Sequence, residues 1–282
     1  MAAQASATSA PAGGGEVRES AAAAGGRLPA AARRTALVLL PWAAIVALWY
    51  AVALSGLINP ALVPTPGDVA RRFWQLLVDG TLALDILMST QRVVVGVALG
   101  ITLAVPVGFL IGWYRRARTF ADPLINFFRA LPPIALIPLV IVYFGIGEPA
   151  KIVILFYASF FAGVIVMYEG IAQISPIYVR VARTLGATDG EIFRKVIVPL
   201  AVPHVLTALR VALGVAWATL VASELIAARQ GLGAVIQNAS SFFQLDIIYV
   251  GIICIGFIAL AMDVALRAVA RRLLSWQERI GA

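Results

Sequence analysis

The chain has 282 residues, of which 61% are hydrophobic and only 13% are charged. A soluble domain of this length would have to hide too much apolar surface, so the composition excludes that class and indicates a polytopic membrane protein. The net charge of +8 is explained by basic residues at the cytoplasmic ends of spans, because the sequence has no basic patches interleaved with aromatics, as in RNA-binding proteins. The single cysteine, Cys254, excludes an intrachain disulfide.

The N-terminal part of the chain predicts a tail followed by a membrane anchor. Residues 1–30 are rich in Ala, Gly and Ser without apolar periodicity, which predicts a disordered cytoplasmic tail. It is not a standard secretory signal, since the first arginine is Arg18 and the apolar run that follows is too long. Arg33 and Arg34 precede that run, residues 35–57, which predicts an uncleaved first span. This span and an outer-face segment make up a predicted unit at 31–85.

The outer-face segment begins with a group of prolines. Pro60, Pro64 and Pro66 break the chain, and a short amphipathic helix is predicted at 68–77. A transmembrane domain is predicted over 86–272, and a cytoplasmic tail over 273–282.

Five further spans are predicted within that domain, giving an all-α membrane protein with about six transmembrane helices. Four of them are predicted at 93–113, 152–167, 206–228 and 247–268. The remaining one, third in the chain, is predicted to be capped by Asp122 and Pro123. It is expected to be kinked or broken by three later prolines, which are Pro132, Pro133 and Pro138.

The distribution of basic residues predicts the orientation. Arg115, Arg116 and Arg118 mark the inner end of the second span, whereas Lys151 and Arg229 are predicted to lie outside. Both termini are therefore predicted to be cytoplasmic, in a bacterial inner membrane.

The mid-chain stretch 175–203 carries mixed charge and predicts two short amphipathic helices. Ser175 and Pro176 suit the start of the first helix, in which Ile177, Val181 and Leu185 recur every four residues. Gly186 stands where that helix would end in a left-handed turn.

The second helix of the stretch has a start and a stop signal. Thr188 with Glu191 forms a capping-box pattern, and Pro199 is predicted to close the helix. Two such helices at a membrane surface indicate either a docking element or an ordinary cytoplasmic loop that lies on its own bundle.

This stretch resembles the EAA loop of permease subunits of ATP-driven bacterial importers. Ala182, Gly186, Val196 and Pro199 stand at the spacing of that motif, whereas Arg180 replaces its glutamate and Val181 its first alanine. In that family the loop forms the coupling helix, which fits into a groove of the ATPase subunit.

The resemblance implies a type I importer permease fold and a set of partners. These are a second permease copy, two ATPase subunits and an extracytoplasmic solute-binding protein. It implies that six residues couple the permease to the ATPase, which are Ala182, Gly186, Ala187, Asp189, Val196 and Pro199. Transport would proceed by alternating access, with ATP bound by the partner.

Four charged residues fall inside predicted spans, where each costs roughly 2.5–3.5 kcal/mol to insert. Arg210 and Asp263 lie near span ends, and Asp263 can pair with Arg267 one turn later. Arg129 and Glu224 lie deeper. They either hold the bundle together, in which case Arg129 is the suggested partner of Glu224, or line the substrate path.

A narrower resemblance concerns the substrate. The segment WATLVASELI at 217–226, with Trp217, Ser223 and Glu224, is similar to the permeases of taurine, aliphatic-sulfonate and nitrate importers. FGIGEPAKI and Arg129-Ala-Leu-Pro-Pro indicate the same branch. This implies a small anion as cargo, with taurine or an aliphatic sulfonate ahead of nitrate, bicarbonate or a pyrimidine precursor.

Catalysis in this chain is not predicted. The lone His204 is interpreted as a polar end-group at a membrane boundary, and the sequence has no G-x-x-x-x-G-K-[ST] loop to hold ATP. No cofactor and no metal site are predicted. The rival hypotheses are a gradient-driven transporter with Glu224 as carrier and a membrane-embedded enzyme, for which the spans lack paired His, Asp or Glu residues.

Overall fold

The computed structural model describes residues 30–56, 59 and 62–274, and in these residues all regular secondary structure is helical. This confirms the all-α class. The predicted disordered tail and most of the predicted C-terminal tail lie outside the described residues. The described residues form eleven α-helices, which are α1 (Ala30–Leu54), α2 (Pro66–Val78), α3 (Thr81–Trp113), α4 (Arg115–Ala130), α5 (Pro133–Phe144), α6 (Glu148–Ala172), α7 (Pro176–Thr184), α8 (Asp189–Ile192), α9 (Val198–Ala227), α10 (Leu232–Ser241) and α11 (Leu245–Leu273).

The chain divides into two compact units between Val52 and Ala53. The first contains most of α1, which overlaps the predicted first span at 35–57 and has Pro41 in its interior. The apolar part of α1 within the described residues is Leu39–Leu54. At 1.5 Å per residue it extends over about 24 Å, less than the roughly 30 Å of a bilayer core. The sixth span therefore stays a prediction.

The candidate membrane-crossing helices of the described residues lie in the second unit. Among the described residues, four helices are long and apolar enough to cross a membrane, and a bent pair would make five. The four are Thr81–Trp113, Glu148–Ala172, Asp189–Ile226 and Leu245–Leu273. Each corresponds to a predicted span, but α3 begins twelve residues before the predicted boundary at 93. Two polar residues in these first turns, Ser89 and Arg92, are buried by the charged contacts described below.

The bent pair is the predicted third span. Helices α4 and α5 meet at 89° across Leu131 and Pro132, so the predicted break at the prolines is confirmed. The prediction that Asp122 and Pro123 cap this span is wrong. Helix α4 already begins at Arg115, directly after the extended residue Tyr114, and Pro123 lies in its interior.

Small residues allow α3 and α6 to pack closely. Gly96, Gly100, Gly108 and Gly112 recur at multiples of four along α3, with the fully buried Ala104 between them. A Cβ atom at Gly100 would lie 2.6 Å from the Cβ of Ser159 on α6, so the glycine is required by the close approach. Glycines at this spacing form a standard contact between membrane helices, because they let the two backbones come together.

The remaining helices surround this pair. Helix α9 packs against α6 and α3, and its alanines Ala201, Ala208, Ala212 and Ala216 are fully buried in the core. Helices α10 and α11 pack against each other and against α9. The short helix α2, predicted at 68–77, is confirmed with its N-cap at Thr65, and it packs on α11 and α3.

Candidate functional site

The stretch after α6 folds as predicted through the turn at Gly186. Ser175 accepts a hydrogen bond from the backbone N–H of Ile177 at 3.5 Å, which caps α7. Gly186 has a φ of +82°, in the left-handed region that favours glycine. The N–H of Ala187 donates back to the carbonyl of Ala182 at 3.0 Å and closes the turn.

The start of α8 is fixed by side chains. Thr188 and Glu191 form a complete capping box, in which the Thr188 hydroxyl accepts from the Glu191 N–H at 3.4 Å and the Glu191 carboxylate accepts from the Thr188 N–H at 3.1 Å. Arg183 pairs with Asp189 at 3.1 Å across the turn. These contacts give the stretch 175–192, called the coupling segment below, a defined shape.

The predicted helix stop at Pro199 is wrong. A π-turn at Phe193–Ile197 follows α8, and the chain continues into α9, so that Pro199 stands in the first turn of that helix. A π-turn changes the hydrogen-bond register, which allows a proline without an N–H to follow without ending the helix. Asp189 to Ile226 consequently form one continuous helical rod.

One side of the coupling segment packs on the bundle. Ala182 and Ala187 are partly buried against the core, and Ile192 is fully buried. The Phe193 ring meets the edges of Phe109 and Trp113, at centroid distances of 5.5 and 6.0 Å. Val196 also packs on this core.

The other side of α7 is apolar and exposed. Ile177, Tyr178 and Val181 are about half exposed, and Leu185 is 82% exposed. We call these four residues the outward face. Of the six residues assigned to coupling from the sequence, Ala182, Ala187 and Val196 pack inward, Gly186 forms the turn, Asp189 holds it, and Pro199 lies in α9.

A network of buried charges lies near the start of α3. Arg92 is 3% exposed and donates from Nε and Nη2 to both carboxylate oxygens of Glu148, at 2.7 and 2.6 Å. Its Nη1 donates to Glu224 at 2.6 Å and to the carbonyl of Gln230 at 2.7 Å. The buried ammonium of Lys151 donates to Glu148 at 3.0 Å. We call the following side chains the charge network: Asp85, Ser89, Arg92, Glu148, Lys151 and Glu224.

Glu224 is the most buried charged residue of the charge network, at 1% exposure. Besides Arg92, it accepts from the Ser89 hydroxyl at 2.8 Å and from the Gly233 N–H at 2.8 Å. A buried carboxylate needs such donors, because burying a charge without partners is costly.

The same network holds the loop before α10. Asp85 accepts from the Gly231 N–H at 2.7 Å, and the Ser89 oxygen accepts from the Leu232 N–H at 2.9 Å. Gly231 has a φ of +123°, and a Cβ there would lie 2.5 Å from Glu224 Oε1. The network therefore joins α3, α6 and α9 to one loop.

Arg129 is not part of this network. The suggested pairing of Glu224 with Arg129 is therefore wrong, and the arginine that pairs with Glu224 is Arg92. Arg129 is exposed at the end of α4, where its Nη2 approaches Asn126 at 3.4 Å. It lines a cavity of about 310 Å³, together with the aromatic side chains Phe128, Tyr157 and Phe161.

The other candidate path residues lie on α9. Trp217 is 6% exposed, and its Nε1 has no hydrogen-bond partner among the described residues. Ser223 is buried and donates to the carbonyl of Leu220 at 2.8 Å. Asp263 pairs with Arg267 at 2.8 Å, as predicted, and also with Arg210 at 2.7 Å.

The sequence reasoning missed Arg92, Ser89 and Glu148. The signal was present, because Asp85, Ser89 and Arg92 are spaced by four and three residues and so share one face of a helix. The predicted span began at 93, which placed all three outside it.

The coupling segment and the charge network lie at opposite ends of α3. Phe193 contacts Trp113 at the last residue of the helix, and Arg92 lies 21 residues earlier. At 1.5 Å per residue this is about 32 Å, close to the thickness of a bilayer core.

Comparisons with known proteins agree with this arrangement. Residues 96–275 match the family described as the binding-protein-dependent transport system inner membrane component. The methionine ABC transporter MetNI, solved in inward-facing conformations, has a chain of similar fold. Its TM-score is 0.56 at 22% identity, covering 68% of this chain and 97% of that chain.

Curated relatives cover most of the sequence. A probable ABC transporter permease of Brucella abortus is 47% identical over 82% of this chain and 91% of its own length. The taurine transport system permease protein TauC of Escherichia coli is 35% identical over 84% of this chain and 88% of its own length. A putative aliphatic sulfonates transport permease protein, SsuC, of Bacillus subtilis is 32% identical over 85% of this chain and 87% of its own length.

These findings define a multi-pass membrane protein of the ABC permease class. The chain belongs to the family of inner membrane components of binding-protein-dependent transport systems. The predicted resemblance to permeases of ATP-driven importers is confirmed.

Proposed function

We propose that this permease moves a small organic anion, taurine or an aliphatic sulfonate, from an outer solute-binding protein into the cytoplasm. ATP is hydrolysed by a separate ATPase subunit that docks on the coupling segment. The observation that carries this proposal is the outward face, an exposed apolar surface on a helix whose two ends are both fixed by hydrogen bonds. A rigid apolar surface of this kind suits docking of a partner protein.

We also propose the assembly that the resemblance to importer permeases implies. Two permease copies and two ATPase subunits form the transporter, in a bacterial inner membrane with both permease termini cytoplasmic. Closure of the ATPase dimer moves the coupling segments, and the spans alternate between inward and outward access. The coupling segment lies at the end of the bundle where Arg183, Arg194 and Lys195 cluster, which supports a cytoplasmic position.

The choice of cargo is supported by the relatives and by one cavity. TauC and SsuC are named for taurine and aliphatic sulfonates, whereas the bicarbonate permease CmpB of Synechococcus elongatus is 30% identical over 73% of this chain. The cavity of about 310 Å³ beside Arg129 combines one cation with apolar and aromatic walls. A sulfonate with a short carbon chain matches both features, so Arg129 is the path residue that we favour.

The other three candidate path residues play a structural part in this proposal. Glu224, Ser223 and Trp217 are each 6% exposed or less. Glu224 already accepts from three donors outside α9, so it holds the bundle together.

Docking is tested by one substitution and a matched control. Leu185→Asp places a charge in the outward face. Because Leu185 makes little contact with its own bundle, the permease should still fold. We expect the ATPase subunit to be lost on co-purification. Ile146→Asp changes an equally apolar residue, 75% exposed in the turn before α6, and should retain the ATPase. Retention of the ATPase by the Leu185 variant would refute docking on this face.

The cargo is tested in proteoliposomes that contain permease, ATPase and binding protein. Labelled taurine, hexanesulfonate, nitrate and bicarbonate are offered with and without ATP. We expect ATP-dependent uptake of a sulfonate, reduced by Arg129→Gln and largely kept by Arg129→Lys. ATP-dependent uptake of nitrate or bicarbonate alone would transfer the proposal to those anions. Uptake that follows a proton gradient without ATP would reject the importer mechanism.

A further inference from the structure

Three arginines follow directly after α3, at the end of the bundle where the coupling segment lies. They are Arg115, Arg116 and Arg118, all at the start of α4. Within the part of the chain that the structure describes, none of them has a carboxylate within 4.0 Å, whereas Arg183 and Lys195 at the same end are paired. Arg115 and Arg116 are exposed, and Arg118 is half-buried over the ring of Tyr168 at 5.3 Å.

Two of these arginines line a cavity of about 570 Å³ between the end of α3 and the start of α4. Thr119, Asp122 and Trp113 complete much of its wall. The two cations outnumber the single carboxylate, so the cavity, called the arginine cavity below, suits an anion. The first turn of α4 contains no acidic residue. Cations are unfavourable at this positive end of a helix. A bound anion would neutralise the arginines and would also interact favourably with the helix dipole.

An apolar groove of about 510 Å³ lies beside the arginine cavity, and Trp113 lines both. The α3 side chains Val105, Phe109 and Leu110 form one wall of the groove, and Phe193 forms part of the other. The groove also touches Asp189 and Gly190 at the start of α8. A cationic cavity and an apolar groove therefore meet at one tryptophan, a residue that is common at membrane–water interfaces.

We propose that an anionic phospholipid binds here, with its phosphate in the arginine cavity and an acyl chain in the apolar groove. The headgroup alone would use only the cavity, and a detergent-like apolar molecule only the groove, whereas a phospholipid uses both. The cytoplasmic leaflet is rich in anionic lipids, and basic pockets between helices on that side hold their headgroups. Since the groove reaches Asp189 and Gly190, the bound lipid contacts the coupling segment.

The test measures lipid binding to the purified full-length permease by native mass spectrometry. Dioleoyl phosphatidylglycerol and dioleoyl phosphatidylcholine are titrated separately. We expect phosphatidylglycerol to bind more tightly, and Arg115→Gln/Arg118→Gln to lower its affinity about 25-fold, at about fivefold for each arginine. Arg271→Gln/Arg272→Gln, which removes two exposed arginines at the end of α11, should leave it unchanged. If the double variant does not fold, Arg115→Gln alone, at an exposed site, should lower the affinity for phosphatidylglycerol about fivefold.

Two further arms separate the sources of the anion. Leu110→Ser should weaken binding of the dioleoyl lipid while leaving a dihexanoyl phosphatidylglycerol unaffected. Displacement of the lipid by millimolar inorganic phosphate would show a free-anion site and overturn the proposal. Equal affinity for the two lipids, or equal loss in both double variants, would also overturn it. Unchanged lipid binding with loss of the ATPase in the Arg115/Arg118 variant would assign the arginines to the ATPase interface and reject the lipid.

Discussion

The charge network allows a sharp test of what holds the bundle together. In Glu224→Gln the side chain keeps its size but loses its charge and one of its two acceptor oxygens. Three donors now converge on it, from Ser89, Arg92 and Gly233. A glutamine has one oxygen to accept with, and its own NH₂ group is turned toward one of the remaining donors.

The size of the effect follows from burial. Breaking a buried ion pair by removing one partner costs about 3–5 kcal/mol, because the other charge stays buried without compensation. Arg92 keeps its two bonds to Glu148, which places the expected loss at the lower end, about 3 kcal/mol. At roughly 2–4 °C per kcal/mol for a chain of this size, the unfolding temperature should fall by about 6–12 °C.

The assay is thermal unfolding of the purified permease in one detergent, with the yield of monodisperse protein as a second readout. Asp263→Asn is the matched control. It breaks an ion pair of nearly equal length between α9 and α11, with Arg210, but the Arg210 side chain is 54% exposed. Exposed ion pairs contribute only about 0–1 kcal/mol to stability, so the unfolding temperature of the control should change little. Equal shifts in the two variants, or no shift in Glu224→Gln, would refute the assignment of Glu224 as the buried anchor.

Three further predictions concern the turn, the helix contact and the topology. Gly186→Val forces a β-branched residue into a left-handed conformation at a cost of about 1–2 kcal/mol. The permease should therefore reach the membrane but retain its ATPase poorly in a pull-down. Gly186→Ala should lose less of the ATPase in the same assay. Gly100→Ala should destabilise by about 1–3 kcal/mol because the methyl group meets Ser159, whereas Gly214→Ala, with open space around it, should be neutral or stabilising in the same thermal assay. In a Cys254→Ser background, an impermeant thiol reagent should label Ile146→Cys in intact cells and miss Arg194→Cys, and the reverse pattern would invert the proposed orientation.

The coupling segment could be predicted from the sequence because its signals are local. The N-cap at Ser175, the turn at Gly186 and the capping box of Thr188 and Glu191 each act within a few residues. The glycine and proline spacing then placed the chain in its family. The stop at Pro199 failed because proline only removes one hydrogen bond, and the preceding π-turn absorbed that loss.

The charge network could not be predicted in the same way, since its bonds join residues far apart in the chain. Ser89 and Glu224 are separated by 135 positions, and no local pattern selects Arg92 over Arg129 as the partner. The glycines of α3 recur at multiples of four, a spacing that is typical of a close helix contact. Their partner, α6, is fixed only by the packing of the bundle.

The π-turn has a mechanical consequence. Because the helix does not stop at Pro199, Asp189 and Glu224 lie on one continuous helical segment, about 52 Å apart at 1.5 Å per residue. Between them only the π-turn at Phe193–Ile197 and Pro203 interrupt the regular α-helical hydrogen bonds, so these are the two places where the segment can bend. At Glu224 the segment is held by hydrogen bonds from Ser89, Arg92 and Gly233. If an ATPase docks on the coupling segment as proposed, motion there reaches the charge network along α9, and these bonds have to break before α9 can turn against α3.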